Sequence, residues 1–234
     1  SHSISLGNQV ELFGKPLGFV ASLSYDRKFS YYNDGEVGHY TLRSSNAPHL
    51  QKDLLMTDER GKMKVLIGGI VNMSYRLDDN NTLGFNFIRN QSGIDDARYQ
   101  EGYSLYHEVD FQTRTLRFFQ RLYTAAQLRG SHKLSEARGI DLKWMTSYVV
   151  SKHKEPDTRF FTNIYEDLPD TTIYFIDIAK QDVPLRYFID LIEKNINAKF
   201  DLSLPFEHLT PSFKIQMGGS IVYKDRAFDE RVFQ

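Results

Sequence analysis

The 234-residue chain contains no cysteine. This absence excludes disulfide bonds, thiolate metal ligands and cysteine nucleophiles. The chain also lacks a long apolar run, since the longest, from Val65 to Val71, is interrupted by Gly68 and Gly69. A membrane-spanning helix needs about 20 predominantly apolar residues, so no transmembrane helix is expected.

Basic runs and catalytic motifs are missing as well. The net charge is −1 and no cluster of Lys and Arg stands out, which argues against a nucleic-acid partner. There is no GxSxG, P-loop or HExxH motif, and the seven histidines have no partner at metal-ligand spacing. Ser151 and His153 share one predicted strand, and the acidic stretch from Asp95 to Asp110 does not have the spacing of an EF-hand loop. We therefore expect no enzyme activity, no catalytic residues, no metal and no cofactor.

Eight stretches alternate between apolar and polar residues with the period of two that marks a β-strand with one apolar and one wet face. The pattern is cleanest in residues 140–151, 195–204 and 213–224. The last stretch extends to about Phe233, whereas a typical globular strand has about five or six residues. Residues Gln9–Leu12 are predicted only as the end of a strand. The sequence therefore predicts an all-β protein with unusually long strands.

Seven connections separate the predicted strands, and they alternate between tight polar turns and long loops. The predicted tight turns are Phe13–Pro16, Asp78–Asn81, Ser135–Arg138 and Pro205–Pro211. The predicted long loops are about Asn33–Met63, Ser92–Thr113 and Lys154–Pro184. An antiparallel up-and-down β-barrel in an outer membrane has this asymmetry, because short turns lie on its periplasmic rim and long loops on its extracellular rim. The sequence therefore predicts an antiparallel, up-and-down transmembrane β-barrel.

The alternation also predicts which side chains face lipid and which face the lumen of such a barrel. The residues predicted to face lipid are Leu142, Trp144, Phe200, Leu202 and Ile215. The residues predicted to face the lumen are Lys143, Lys199, Asp201 and Lys214. Aromatic residues near the strand ends predict an interfacial girdle: Phe29, Tyr31, Tyr32, Phe118, Phe119, Tyr187 and Phe188. The alternative that we keep open is a soluble or surface-exposed all-β binding module, in which the apolar face is the core of a sandwich.

Three stretches of the chain resemble a known family. The segments Leu12–Phe19, Ala97–Tyr103 and Tyr223–Phe228 are similar to the barrel of TonB-dependent outer-membrane receptors of the Bacteroidetes type. The resemblance implies a 22-stranded barrel filled by an N-terminal plug domain. It also implies uptake of a scarce ligand such as a siderophore, cobalamin or a glycan, with energy from the inner-membrane TonB complex.

The sequence departs from the complete family pattern, because no plug domain, TonB box or terminal aromatic closing strand is recognisable. We therefore expect residues 1–234 to be part of one transmembrane barrel domain, with about eight strands of a larger barrel. Eight strands closed on themselves leave an interior filled by side chains. The residues predicted to face the lumen include many charged and amide groups, which would be left without partners in so narrow an interior. The first and last strands are therefore not expected to pair with each other.

The resemblance also places ligand-binding candidates and partners. Arg98, Tyr99, Tyr103 and Arg159 fall in the predicted long loops and mix guanidinium and aromatic groups suited to an anionic or sugar-like ligand. The implied location is the outer membrane of a Gram-negative bacterium, so the lipid bilayer is the first partner. The TonB complex, acting through the plug domain, and a surface lipoprotein are the other partners that the resemblance implies.

Overall fold

The structure is a computed structural model that describes residues 1–42, 44, 48–105, 107–135, 138–176, 183–206 and 213–234. Within these ranges all regular secondary structure is β-strand, as the alternating sequence predicts. The strands are β1 (His2–Leu12), β2 (Lys15–Thr41), β3 (Gln51–Arg76), β4 (Asn81–Ser104), β5 (Val109–Ser135), β6 (Ile140–Leu168), β7 (Thr171–Phe175), β8 (Leu185–Phe206) and β9 (Phe213–Phe233).

The strands form one antiparallel sheet in the order β1-β2-β3-β4-β5-β6-β8-β9. Every neighbouring pair on this path is antiparallel. All pairs are also consecutive in the chain except β6 and β8, because the five-residue β7 lies between them in sequence and pairs with the C-terminal end of β6. The predicted up-and-down topology is confirmed. β1 and β9 do not pair with each other in the described residues, so the sheet is open, as expected.

The predicted long loops are wrong, since most of their residues extend the strands. β2 continues to Thr41 and β3 begins at Gln51, β4 and β5 are joined by residues 105–108, and β6 continues to Leu168. The first strand is also longer than predicted and begins at His2. These extensions carry polar residues on both faces, so the alternation on which the sequence prediction depends disappears there.

The turns flanking these strands agree with the prediction where the structure describes them. Phe13–Gly14 joins β1 to β2, and residues 77–80 join β3 to β4. The predicted turn at Ser135–Arg138 falls between β5 and β6, with residues 136 and 137 outside the described residues. Most of the predicted Pro205–Pro211 turn, residues 207–211, also lies outside them.

The register divides the side chains between two faces, which we call the apolar face and the polar face. Residues paired across neighbouring antiparallel strands point to the same side of the sheet. Trp144 pairs with Phe200 and Leu142 pairs with Leu202, whereas Lys143 pairs with Asp201. On β9, Ile215 pairs with Leu204 of the apolar face. The predicted grouping is therefore confirmed: the five apolar residues share one face, and Lys143, Lys199, Asp201 and Lys214 share the other.

The apolar residues form a band that runs diagonally across the sheet. On β3 the band ends at Tyr75, beside the tight turn. Following the pairing partners of Tyr75 from strand to strand across β4, β5, β6 and β8 leads to Gly219 on β9. On β9 the band continues six residues further, to Phe213. Six residues span about 20 Å along a strand, and five inter-strand spacings span about 24 Å. The band is therefore inclined by about 40° to the hydrogen-bonding direction.

The small buried core lies on the polar face. Met56, Phe111, Phe119 and Ile164 are the buried hydrophobic residues in the described part of the chain, and the register places all four on this face. Since the described residues form a single sheet, these side chains are buried by neighbours on their own face, among them Val37, Leu54 and Val109. Side chains converge on the concave side of a curved sheet and diverge on the convex side. The polar face is therefore the concave one around this core.

The turn between β1 and β2 contains two residues with positive φ angles, and a substitution there can test this turn geometry. Phe13 and Gly14 have φ angles of 53° and 71°, as the type I′ turn of a two-residue hairpin requires. Phenylalanine is strained at positive φ, whereas asparagine tolerates it. We expect Phe13→Asn to stabilise the fold by about 1 kcal/mol, measured as a higher urea midpoint. Phe13→Gly should also raise the midpoint, and a lower midpoint for both variants would contradict this turn geometry.

Candidate functional site

The most organised polar feature of the structure is a row of arginine–carboxylate pairs across β3, β4, β5 and β6 on the concave face. We call it the charged row. It lies between the apolar cluster around Ile164 and the part of the sheet that carries the apolar band on its other face. Its members are Tyr32, Asp58, Arg60, Asp96, Arg98, Arg117, His153, Glu155 and Thr158.

Two of the pairs connect β3 to β4. Arg98 Nε donates to Asp58 Oδ1 over 2.7 Å, and its second nitrogen donates to Oδ2 over 2.8 Å. Tyr32 donates its hydroxyl to the same Oδ2 over 2.6 Å. Arg60, the next residue of β3 on this face, makes the same bidentate contact to Asp96, with donor–acceptor distances of 2.8 and 2.5 Å. Such bidentate pairs fix both side chains, because the guanidinium and the carboxylate match in geometry.

Glu155 is the best-satisfied carboxylate of the charged row. Arg117 donates to both of its oxygens, at 2.8 and 2.5 Å, and Thr158 donates its hydroxyl over 2.9 Å. His153 Nε2 lies 2.9 Å from Glu155 Oε1. The residue is only 3% exposed, and it lies at a bulge where the register of β6 shifts between Glu155 and Thr158. Bulges redirect side chains in this way at the rims of sheets.

The contacts change the acidity of these carboxyl groups. Arg98 holds the pKa of Asp58 below its ordinary value, against the opposing effect of burial. Burial raises the pKa of Glu155, but the hydrogen bonds from Arg117, His153 and Thr158 outweigh it and lower the pKa to about 2. The three carboxylates of the charged row are therefore ionised at neutral pH, and each is neutralised by an arginine.

A concave pocket of about 300 Å³ lies on the polar face beside the charged row. It is on the side of the row towards the part of the sheet whose other face carries the apolar band. Its polar side chains come from three neighbouring strands and offer amide, hydroxyl, guanidinium and imidazole groups. They are Asn90, Ser92, Arg121, Tyr123, Ser151 and His153. Leu66 and Leu191 provide its apolar lining. We call it the concave pocket.

His153 links the concave pocket to the charged row. Arg121 Nε donates to His153 Nδ1 over 3.4 Å, while His153 Nε2 contacts Glu155. In this geometry Nδ1 accepts from Arg121, and Nε2 faces the carboxylate of Glu155. Phe119 packs against the histidine ring, and the Arg121 guanidinium lies 5.2 Å from the Phe119 ring centre. The orientation of Arg121 is thus set by these contacts, and its guanidinium has no ion pair with a carboxylate of the residues that the structure describes.

The concave face beside the pocket carries several cations, and its two nearby carboxylates already have partners. Asp26, opposite Leu66, contacts the N-terminal amine, and Glu193, opposite Ser151, pairs with Lys224. Lys28 and Lys64 are directly opposite each other on β2 and β3, and Lys62 is the next residue of β3 on the same face. None of these lysines, nor Arg121, has an ion pair with a carboxylate of the described residues. Like charges facing each other across a sheet are unfavourable. An anion bound here would offset that repulsion.

The four ligand-binding candidates from the sequence do not form one site. They lie in strands β4 and β6 and not in loops, which corrects the sequence-based placement. Arg98 is on the concave face, where its guanidinium forms an ion pair with Asp58. Tyr99 and Tyr103 are on the opposite face of β4, and Arg159 is paired with Asp157. Whether any of them contacts a ligand remains a prediction.

Burial and the hydrogen bond to Glu101 raise the pKa of Tyr99 to about 12, so its hydroxyl stays protonated. Arg159 lines a larger hollow of about 750 Å³ with Phe29, Met63 and Phe118. In that hollow Asp157 already neutralises Arg159, and Arg186 contacts the same aspartate. The concave pocket, with its unpaired arginine, is therefore the stronger candidate site.

The sequence provided only a weak signal for this site. Ser151 and His153 stood out as a hydroxyl and an imidazole on one strand, and both line the concave pocket. The structure shows that they are joined by Arg121 and Tyr123 from β5 and by Asn90 and Ser92 from β4. These residues come together only through the strand register, so their spacing in the sequence carries no motif.

No cluster of three or more His, Asp or Glu residues suited to a metal ion occurs in the described residues. Within the same residues, no helix is long and apolar enough to cross a membrane. Comparison with protein-family models, curated proteins and solved structures finds no match for this chain. The site geometry and the sheet are therefore the observations on which a function is proposed.

Replacing Glu155 tests the charged row. Glu155→Gln leaves Arg117 without a buried carboxylate, so we expect a loss of about 3 kcal/mol in the free energy of unfolding at pH 7. Urea-induced unfolding measures this loss. The matched control is Asp190→Asn, which breaks the exposed pair with Lys154 and should cost less than about 1 kcal/mol.

The loss should depend on pH, because the pKa of Glu155 falls from 4.5 to about 2 on folding. The stabilisation is then fully present above about pH 4.5 and disappears as the pH falls towards 2. We expect the difference between the native protein and Glu155→Gln to shrink over this range. An equal difference at pH 7 and pH 2.5 would show that the ionised carboxylate is not the stabilising group.

Proposed function

We propose that this chain is part of the transmembrane β-barrel of an outer-membrane uptake receptor of the TonB-dependent type. In this proposal the apolar face contacts lipid and the polar face lines the lumen. The concave pocket and its cations take part in binding an anionic, oxygen-rich ligand. The bilayer is the direct partner of the chain, and TonB acts through a plug domain.

The observation that carries the membrane part of the proposal is the diagonal apolar band. Barrel strands tilt by about 35–45° in a membrane, and the apolar belt around them is about 25 Å tall. The band is inclined by about 40°, as derived above from the register. On β9 it covers Phe213 to Tyr223, about 33 Å along the strand and therefore about 25 Å along the membrane normal. Its side chains are exposed, among them Ile221 and Phe200.

The ligand part of the proposal depends on the concave face. Arg121 and the lysines beside it form no ion pair with a carboxylate of the described residues, while the amide and hydroxyl groups of Asn90, Ser92 and Ser151 suit ligand oxygens. The arginine–carboxylate pairs of the charged row hold the neighbouring strands in a fixed register. Rigid supporting contacts of this kind favour binding, because little flexibility is lost when the ligand arrives.

The 22-stranded architecture and the coupling to TonB are supported by the sequence resemblance alone. The open edges of β1 and β9 are compatible with it, since both carry free backbone groups that further strands would satisfy. The second candidate, an all-β binding module, requires another layer of protein over the apolar face. The exposure of that face in the described residues favours the barrel over the module.

Two adjacent alanines on β5 test which face meets lipid. Ala126 lies on the apolar face opposite Tyr148, and Ala125 lies on the polar face opposite Val149. The chain has no cysteine, so Ala126→Cys and Ala125→Cys each introduce a single site for a spin label. In native membranes we expect the label at 126 to collide with oxygen, which concentrates in lipid. The label at 125 should instead collide with a water-soluble nickel chelate.

The same pair of labels distinguishes the alternatives. In a binding module with a covered apolar face, the label at 126 is immobile and neither reagent reaches it. If the nickel chelate reaches both labels, the apolar face meets water and the membrane proposal is wrong.

The ligand proposal is tested by equilibrium binding with citrate, inorganic phosphate and glucuronate as anionic probes and glucose as the neutral probe. We expect at least one anion to bind more tightly than glucose, and Arg121→Gln to weaken that binding about tenfold or more. The matched control is Arg129→Gln, which removes a cation from the same face of the same strand. Equal binding by both variants would exclude Arg121 from the site.

A further inference from the structure

Arg89 is a cation within the apolar band. Its neighbours across the sheet are Gly69 on β3 and Thr124 on β5, and Phe87 precedes it on the same face of β4. The side chain is exposed and has no ion pair with a carboxylate of the described residues. An arginine on the lipid face of a barrel costs about 2–4 kcal/mol at the bilayer midplane and about 0–1 kcal/mol near the interfaces. A cation in this position therefore calls for an anion that comes from outside the chain.

A groove of about 490 Å³ leads to this arginine along the apolar face. It exists because Ala21 and Gly69 are small, while larger residues stand on both sides. Its apolar walls come from four strands: Ile4, Leu6, Leu23, Ile67, Val71 and Phe87. Arg89 and Gln91 form its polar end. The groove thus combines an extended apolar floor with one positive charge and one amide at the same end.

We propose that this groove is a binding site for an anionic phospholipid, with one acyl chain on the apolar floor and the phosphate against Arg89. The inference depends on the proposed membrane location of the apolar face. Charge complementarity favours this occupant, because a lipid supplies both the apolar chain and the anion. The alternative occupant is a protein segment with an acidic residue, but such a segment would also have to cover the apolar band on both sides of the groove.

A fluorescent reporter in the groove tests the proposal in lipid vesicles. The reporter is Phe87→Trp in a Trp144→Phe background, since Trp144 is the single tryptophan of the chain. Brominated phosphatidylglycerol should quench it with an apparent affinity about three- to fivefold higher than that of brominated phosphatidylcholine. Adding Arg89→Gln should make the two lipids equal, and Arg89→Lys should keep part of the preference.

The native chain is the control for position, because Trp144 lies on the apolar face but is outside the groove. Both lipids should quench Trp144 equally. Arg27→Gln removes another exposed cation of the apolar face and should leave the preference at the reporter unchanged. Equal quenching of the reporter by both lipids with Arg89 present would overturn the lipid site alone. No quenching of either tryptophan would overturn the membrane location as well.

Discussion

One constraint governs the structure: a single-layered sheet cannot bury both of its faces. Residues alternate between faces along every strand, so most apolar side chains near the tight turns collect on one side. No helix or second sheet covers them in the described part of the chain. The hydrophobic effect then favours an external cover, at about 25 cal/mol for each Å² of apolar surface removed from water. In the function proposed above, lipid is that cover, because the thickness of a bilayer and the tilt of barrel strands fit the diagonal band.

The same alternation sends the polar side chains to the concave face, where they must satisfy one another. Three arginines and three carboxylates do so in bidentate pairs between neighbouring strands. A buried carboxylate without its arginine would be strongly unfavourable, so these pairs specify the register as well as stabilising it. Arg121 and His153 lie directly opposite each other on β5 and β6, next to the bulge at Glu155, and both line the concave pocket.

The two faces consequently take on different chemistry along the same strands. Towards the tight turns the sheet presents an apolar band on one side and amides, hydroxyls and lysines on the other. Beyond the band, both faces carry many polar residues beside the small buried core, and the strands continue for another ten or so residues. That extension provides the positions for the charged row. Where the division is imperfect, as at Arg89, the exception itself points to a ligand.

The sequence by itself determined the strands of the band, their phase and the Phe13–Gly14 turn, because these follow from local periodicity and turn chemistry. Only the tertiary structure decided the rest. The extensions lack alternation, so residues such as Arg98 and Tyr99 looked like loop. The charged row pairs residues about 40 positions apart, such as Asp58 with Arg98 and Arg117 with Glu155. Such contacts depend on register across strands, and no local pattern encodes them.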